Sequence, residues 1–194
     1  MKMKLFIASA FAALLVAGCA SAPSKFYTLA ATAKSDGGTD AHFAIVVGPV
    51  TVPAEVDRPQ FTVQTAPNRV TIDEFNRWAE PLNEGIARVV AADLATLLGT
   101  SRVVAVPLAN FDPAYRVAID IQRFETIPGK QVSVDALWII RKTAGGSTLS
   151  GRTVAGEPVT GGSYDALAAA HSRALAKVST DIAAAIRADA DAKP

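Results

Sequence analysis

Cysteine and histidine are scarce in this sequence, which has one cysteine and two histidines among its 194 residues. A structural zinc ion takes four such ligands, so neither a four-cysteine nor a two-cysteine, two-histidine site can form from this chain alone. A lone cysteine likewise excludes an intrachain disulfide. The chain also has no large excess of positive or negative charge. The formal net charge is +1 and no dense basic run occurs, which argues against a nucleic-acid-binding surface.

The N-terminal apolar run is too short to cross a membrane. It covers residues 5–16, which is 12 residues, whereas a spanning helix needs about 20. Lys2 and Lys4 precede the run, and small residues follow it up to Cys19. This order is typical of a secretory signal peptide, so we predict that residues 1–18 are a signal peptide.

Cys19 directly follows the small residues of the segment Leu15-Val16-Ala17-Gly18. This motif resembles the lipobox of bacterial lipoproteins, in which the cysteine carries a diacylglycerol and an N-linked acyl chain. An ordinary secretory signal with an incidental cysteine is the alternative. The residue after Cys19 is Ala20 rather than Asp, which favours sorting to the periplasmic face of the outer membrane. We expect no cofactor besides these acyl chains, and a lipidated tether over residues 19–25.

The remaining chain alternates between strand and helix patterns. Strands are predicted at residues 26–29, 43–52, 61–65, 70–72, 102–106, 115–121, 132–140 and 148–157. The segments at 61–65 and 70–72 form a predicted hairpin. Phe124 is out of phase with the alternation that precedes it, which predicts a β-bulge near Gln122 and Arg123.

Two amphipathic helices complete the pattern. The first begins at Pro81, carries apolar residues at helical spacing and ends at Gly99. Ser163 is placed to cap the second, whose apolar stripe includes His171. The predicted fold class is α/β (α+β), a two-layer sandwich in which both helices cover one face of a mainly antiparallel sheet. We predict a single domain over residues 26–190 and a frayed tail over 191–194.

Catalytic motifs are missing from the sequence. No serine lies in a Gly-x-Ser-x-Gly elbow, and the only cysteine is assigned to lipid. Gly161-Gly162-Ser163 is interpreted as a loop and helix cap rather than an anion site, and His171 as a structural histidine. We therefore expect no enzymatic activity.

Four short motifs carry a family resemblance. They are Tyr27-Thr28-Leu29, Val50-Thr51-Val52-Pro53, Asp57-Arg58-Pro59-Gln60 and Trp78-Ala79-Glu80-Pro81-Leu82. In this order behind a lipobox, they resemble the PqiC (YmbA-type) lipoproteins, also called ABC-type transport auxiliary lipoproteins. The closing helix fits the family as well.

The resemblance implies a non-enzymatic role at the outer membrane. Such a lipoprotein would be a subunit of an MCE/ABC-type lipid transport system, docking the trans-periplasmic MCE component there and supporting membrane integrity. The implied partners are the MCE-domain protein with its inner-membrane permease system, the outer membrane itself, and a second copy of the chain. An LptE-like assembly or plug lipoprotein of an outer-membrane translocon is the alternative, and a lipid carrier with a cavity is a third class.

Arg58, Pro59, Trp78 and Glu80 are the candidate partner-interface residues. They lie within the stretches that carry the resemblance. Trp78 has two interpretations. One is a hydrophobic staple on the first turn of the following helix, the other is an aromatic anchor for a partner, and the two are compatible.

Lipidation gives the first testable prediction. Cys19→Ala is expected to abolish palmitate labelling, because the thiol is the acylation site, and to release the protein from the outer-membrane fraction. The measurement is metabolic labelling followed by membrane fractionation, with the unsubstituted chain as the control. Continued labelling of Cys19→Ala would contradict the assignment.

Overall fold

The computed structural model describes residues 22–35, 37–38, 40–106 and 111–192. The predicted signal peptide and Cys19 lie outside these residues. The described part contains ten elements. They are β1 (Lys25–Tyr27), β2 (Ile45–Thr51), β3 (Gln60–Ala66), β4 (Arg69–Trp78), α1 (Leu82–Leu98), β5 (Val103–Val104), β6 (Tyr115–Ile127), β7 (Gln131–Lys142), β8 (Thr148–Pro158) and α2 (Tyr164–Asp191).

A five-stranded sheet of order β5-β2-β6-β7-β8 forms the main layer. β6, β7 and β8 make the predicted antiparallel meander, whereas β2 runs parallel to both β5 and β6. The helices contact each other, with α1 against β2 and β5, and α2 against β7 and β8. The predicted α+β sandwich is therefore confirmed.

The phase slip in β6 is a bulge, as predicted. The pairing with β7 shifts between Ile121 and Arg123. The extra residue returns Phe124 to the face that Ile121 occupies, and both side chains are buried in the core. Without the shift, Phe124 would point to the opposite face of the sheet.

The predicted hairpin forms, but it belongs to a second sheet. β3 and β4 pair antiparallel, and β1 joins β4 in parallel, giving the order β1-β4-β3. The expectation of one sheet thus needs correction. Pairing partners are set by tertiary contacts, and the apolar alternation of a strand does not specify which sheet it enters.

Both helices begin where the sequence indicates, and α1 also ends there, whereas α2 continues to Asp191, the first residue of the predicted frayed tail. Gly99 lies in the left-handed region at φ 63° and its N–H donates to the Ala95 carbonyl, which closes α1. The Ser163 hydroxyl accepts from the Ala166 N–H at 3.2 Å and caps α2. In the described part of the chain, neither helix combines the length and apolar character needed to cross a bilayer.

Truncation of Leu94 tests the packing of α1. This side chain is fully buried in the core that also holds Val117 and Ile119 of β6. Leu94→Ala is expected to lower the free energy of unfolding by about 2–5 kcal/mol, since it removes buried methyl groups and leaves a cavity. Thr96→Ala, on the exposed side of α1, is the control and should change it by less than about 0.5 kcal/mol. Urea denaturation measures both, and equal effects would show that the helix face is assigned wrongly.

Candidate functional site

Four residues proposed from sequence meet at one place on the surface. The Trp78 N–H donates to the Pro59 carbonyl at 2.6 Å, which joins the end of β4 to the turn before β3. Arg58, Pro59, Trp78 and Glu80 then line an open groove of about 340 Å³, together with Asp57, Ala79 and Pro81. We call it the Pro59 groove. Chain segments about twenty residues apart thus form a single surface.

Trp78 belongs mainly to the core. It is the last residue of β4 and is only 6% exposed, so it is not a free aromatic outside the regular elements. Its ring stacks on Phe61 at a centroid distance of 4.1 Å and meets Phe124 edge-on at 6.2 Å. Most of its surface is therefore unavailable to a partner, and it supplies part of the groove wall.

Arg58 sits in a tight turn at the groove. The Val56 and Asp57 N–H groups both donate to the Pro53 carbonyl, and the Arg58 N–H donates to the Val56 carbonyl at 2.8 Å. Its side-chain Nε is buried and has no hydrogen-bond partner within the described ranges. An unsatisfied buried donor costs about 1–3 kcal/mol.

Glu80 is held by an arginine that the sequence patterns did not identify. Arg88 of α1 donates to both carboxylate oxygens of Glu80, and its Nη2 also donates to the Leu29 carbonyl at 3.0 Å. The hydrogen bond to Glu80 raises the pKa of Arg88 above its usual range. Gly85 leaves room for this pair, because a Cβ there would lie 3.3 Å from Glu80 Oε1.

A second groove begins at the same carboxylate. Its volume is about 530 Å³, and Glu80 lines it as well. One wall comes from residues 47–50 and 105–106, and the other from residues of α1 that include Arg88. Glu80 therefore lines both open grooves, and Arg88, which is paired with it, lines the second one.

A buried carboxylate ties the segment after β1 to both helices. Asp93 of α1 is fully buried and accepts from the Thr32 and Ala33 N–H groups, each at 2.9 Å. The Ser179 hydroxyl of α2 also donates to it at 3.1 Å. Burial raises the pKa of Asp93, although these three hydrogen bonds oppose the shift. The sequence pattern gave this residue no role.

His171 is a structural residue within the core, as interpreted from sequence. It stacks on Phe124 at 3.9 Å, and its Nε2 shares a 2.8 Å hydrogen bond with the Thr126 hydroxyl. Burial lowers its pKa to about 3, so the ring is neutral at pH 7. Among the described residues, no group of three or more His, Cys, Asp or Glu side chains is placed to hold a metal ion.

Comparison with known proteins gives a family match over most of the chain. The family model described as "ABC-type transport auxiliary lipoprotein component" matches residues 27–183. No functionally curated protein is significantly similar in sequence. The matched residues include all four groove candidates.

Two solved structures share the fold. An uncharacterized protein has a TM-score of 0.70 at 20% identity, over 85% of this chain and 99% of its own. A protein of the DUF330 family from Xanthomonas campestris has a TM-score of 0.69 at 18% identity, over 86% of this chain and 99% of its own. At these identities the likeness extends to the fold alone.

The buried histidine predicts a pH dependence. An unfolded chain binds a proton at His171 below about pH 6.5, whereas the folded protein binds it only near pH 3. The unfolded state therefore holds more protons in this window, and stability falls by up to about 1.4 kcal/mol per pH unit as the pH drops. Urea unfolding from pH 7 to pH 4 measures the slope. His171→Phe should show a smaller slope than the parent protein, and an unchanged slope would contradict the assignment.

Proposed function

Because the chain belongs to the ABC-type transport auxiliary lipoprotein family, we propose that it is an outer-membrane-anchored subunit that docks a trans-periplasmic MCE-domain protein. The inner-membrane permease system lies at the other end of that partner. The domain carries no step of chemistry in this role. It holds the transport path at the outer membrane and thereby supports membrane integrity.

The Pro59 groove is the observation that carries the proposal. Two sequence stretches that resemble the family, around Arg58-Pro59 and Trp78-Glu80, line this one groove. Pro59, Pro81 and the edge of Trp78 give it an apolar floor, while Arg58 and Glu80 provide charges of opposite sign. An apolar centre with a polar rim is the usual anatomy of a protein interface.

Arg58 gives the groove a specific preference. Its guanidinium is positively charged, and a backbone carbonyl or carboxylate of the partner would accept hydrogen bonds from the part of it that lines the groove. Glu80 is already occupied by Arg88, so its charge is partly neutralised. The groove therefore favours a partner segment that presents a carbonyl or carboxylate toward Arg58.

The lipid anchor sets the location of this groove. Acyl chains on Cys19 would fix the protein to a membrane, and Ala20 favours the outer one. An acyl anchor contributes about 0.8 kcal/mol per buried CH₂ group, so two or more chains hold firmly. The anchor then confines the docking surface to the periplasmic face of the outer membrane, which is where the far end of a trans-periplasmic partner would arrive.

Reversing the charge of Arg58 tests the docking surface. Arg58→Glu should weaken co-precipitation of the MCE-domain protein by the full-length lipoprotein at least about tenfold, which corresponds to about 1.4 kcal/mol. The loss should be larger at low salt, because screening of the new repulsion is weaker there. Thermal unfolding of the same samples shows whether the variant stays folded.

Arg141→Glu is the matched control. Arg141 is an exposed arginine on β7, in the other sheet. It should leave both binding and melting temperature unchanged. Normal binding by folded Arg58→Glu would remove the Pro59 groove from the proposal. Recovery of an outer-membrane barrel protein in place of an MCE-domain protein would favour the assembly-lipoprotein alternative.

A further inference from the structure

The small sheet carries four large apolar side chains that are exposed, two of them aromatic. Phe26 of β1 is 65% exposed and Phe75 of β4 is 43% exposed, and Val70 and Ile72 of β4 are exposed too. Phe26 pairs with Arg77, two residues after Phe75, so the two rings lie on adjacent strands. We call Lys25, Phe26, Phe75 and Arg77 the β1–β4 surface. Large aromatic side chains this exposed are typical of an interaction surface.

Phe75 stands on a rigid bulge. Gln60 pairs with Arg77 but Phe61 pairs with Asp73, so residues 74–76 are extra on β4. The Asp73 carboxylate accepts from the Phe75 and Asn76 N–H groups at 2.9 and 3.0 Å. Its other oxygen accepts from the Tyr164 hydroxyl of α2 at 2.7 Å. The core therefore fixes the loop that presents Phe75.

Chain length ties this surface to the anchor. Lys25 begins β1 six residues after Cys19. Six residues span at most about 20 Å when fully extended. If Cys19 is held in the bilayer, β1 therefore begins within about 20 Å of it, close enough for the β1–β4 surface to reach the headgroups.

The basic side chains of the β1–β4 surface are suited to contact with phospholipid headgroups. Lys25 is exposed beside Phe26, and Arg77 lies opposite Phe26 on β4 with a third of its side chain exposed. Glu74 pairs with Arg77 at 3.5 Å and offsets part of this charge. Cations beside exposed phenylalanines are the side chains that bind at the headgroup and acyl boundary of a membrane.

We propose that the β1–β4 surface lies on the phospholipid bilayer, with Phe26 and Phe75 inserted at the headgroup boundary. This contact orients the domain, whereas the acyl chains only retain it. The inference rests on the lipid anchor of the proposed function, and it does not depend on which protein docks in the Pro59 groove.

Membrane depth of a fluorescent label tests the contact. Cys19 is consumed by acylation, so a second cysteine can be labelled alone. Phe26→Cys and Phe75→Cys, each in the full-length acylated protein, receive an NBD fluorophore and are reconstituted in phosphatidylethanolamine and phosphatidylglycerol vesicles. Doxyl-labelled phospholipid should quench both labels at least about threefold more than it quenches a label that stays in water. The reason is that a side chain inserted about 5–10 Å into the membrane lies close to the doxyl group.

Val154→Cys is the matched control. Val154 is 67% exposed, as much as Phe26, but lies on β8 of the other sheet. Equal quenching at all three positions would overturn the proposal. So would labels at Phe26 and Phe75 that are shielded from aqueous iodide but not quenched by lipid, since that pattern indicates cover by a second copy of the chain.

Two further measurements distinguish a failure of this inference from a failure of the proposed function. If no variant floats with the vesicles, the anchor has failed, and with it both proposals. Phe26→Ser combined with Phe75→Ser should still float and still bind the MCE-domain protein in detergent, where the bilayer contact is absent. Loss of binding in detergent would assign these rings to the protein partner and reject the membrane contact.

Discussion

The aromatic junction around Trp78 is the contact on which the arrangement of this protein depends. The Trp78 ring stacks on Phe61 of the small sheet and reaches Phe124 of the main sheet and His171 of α2. Tyr27 and Tyr164 complete the junction against Phe61. A three-stranded sheet this small buries little area by itself. These rings supply the apolar contact that fixes it against the larger layer.

Both proposed surfaces take their position from that junction. The chain leaves the core at Trp78 and enters α1 at Leu82, so the groove residues between them have little freedom. The Ala79 N–H donates to the Tyr27 carbonyl at 2.9 Å, which also locks this exit to β1. The Pro59 groove and the β1–β4 surface are therefore adjacent parts of one rigid unit. A partner bound in the groove would be held close to the membrane surface.

Local patterns predicted most of the secondary structure because each signal acts over a few residues. Gly99 and Ser163 mark helix ends through their own backbone and side-chain chemistry, and the phase slip at Phe124 marks the bulge. The separate small sheet was not predictable, since alternation does not specify a pairing partner. No local pattern indicates the roles of Asp93 and Arg88, for the same reason. Their roles depend on Thr32, Ser179 and Leu29, which are distant along the chain.

The sequence singled out residues that line the Pro59 groove, but it did not indicate how they are arranged. Family resemblance singled out Arg58 and Trp78 without indicating that one hydrogen bond, from Trp78 to Pro59, would bring their segments together. The burial of Trp78 in the structure changes the interpretation of its role. Trp78 packs between the two sheets, and most of its apolar surface is buried inside the protein. It therefore cannot also be the main anchor for a partner. In the proposed docking, recognition therefore rests on the side chains that Trp78 positions. Of these, Arg58 brings a positive charge to the groove, whereas Glu80 is already paired with Arg88.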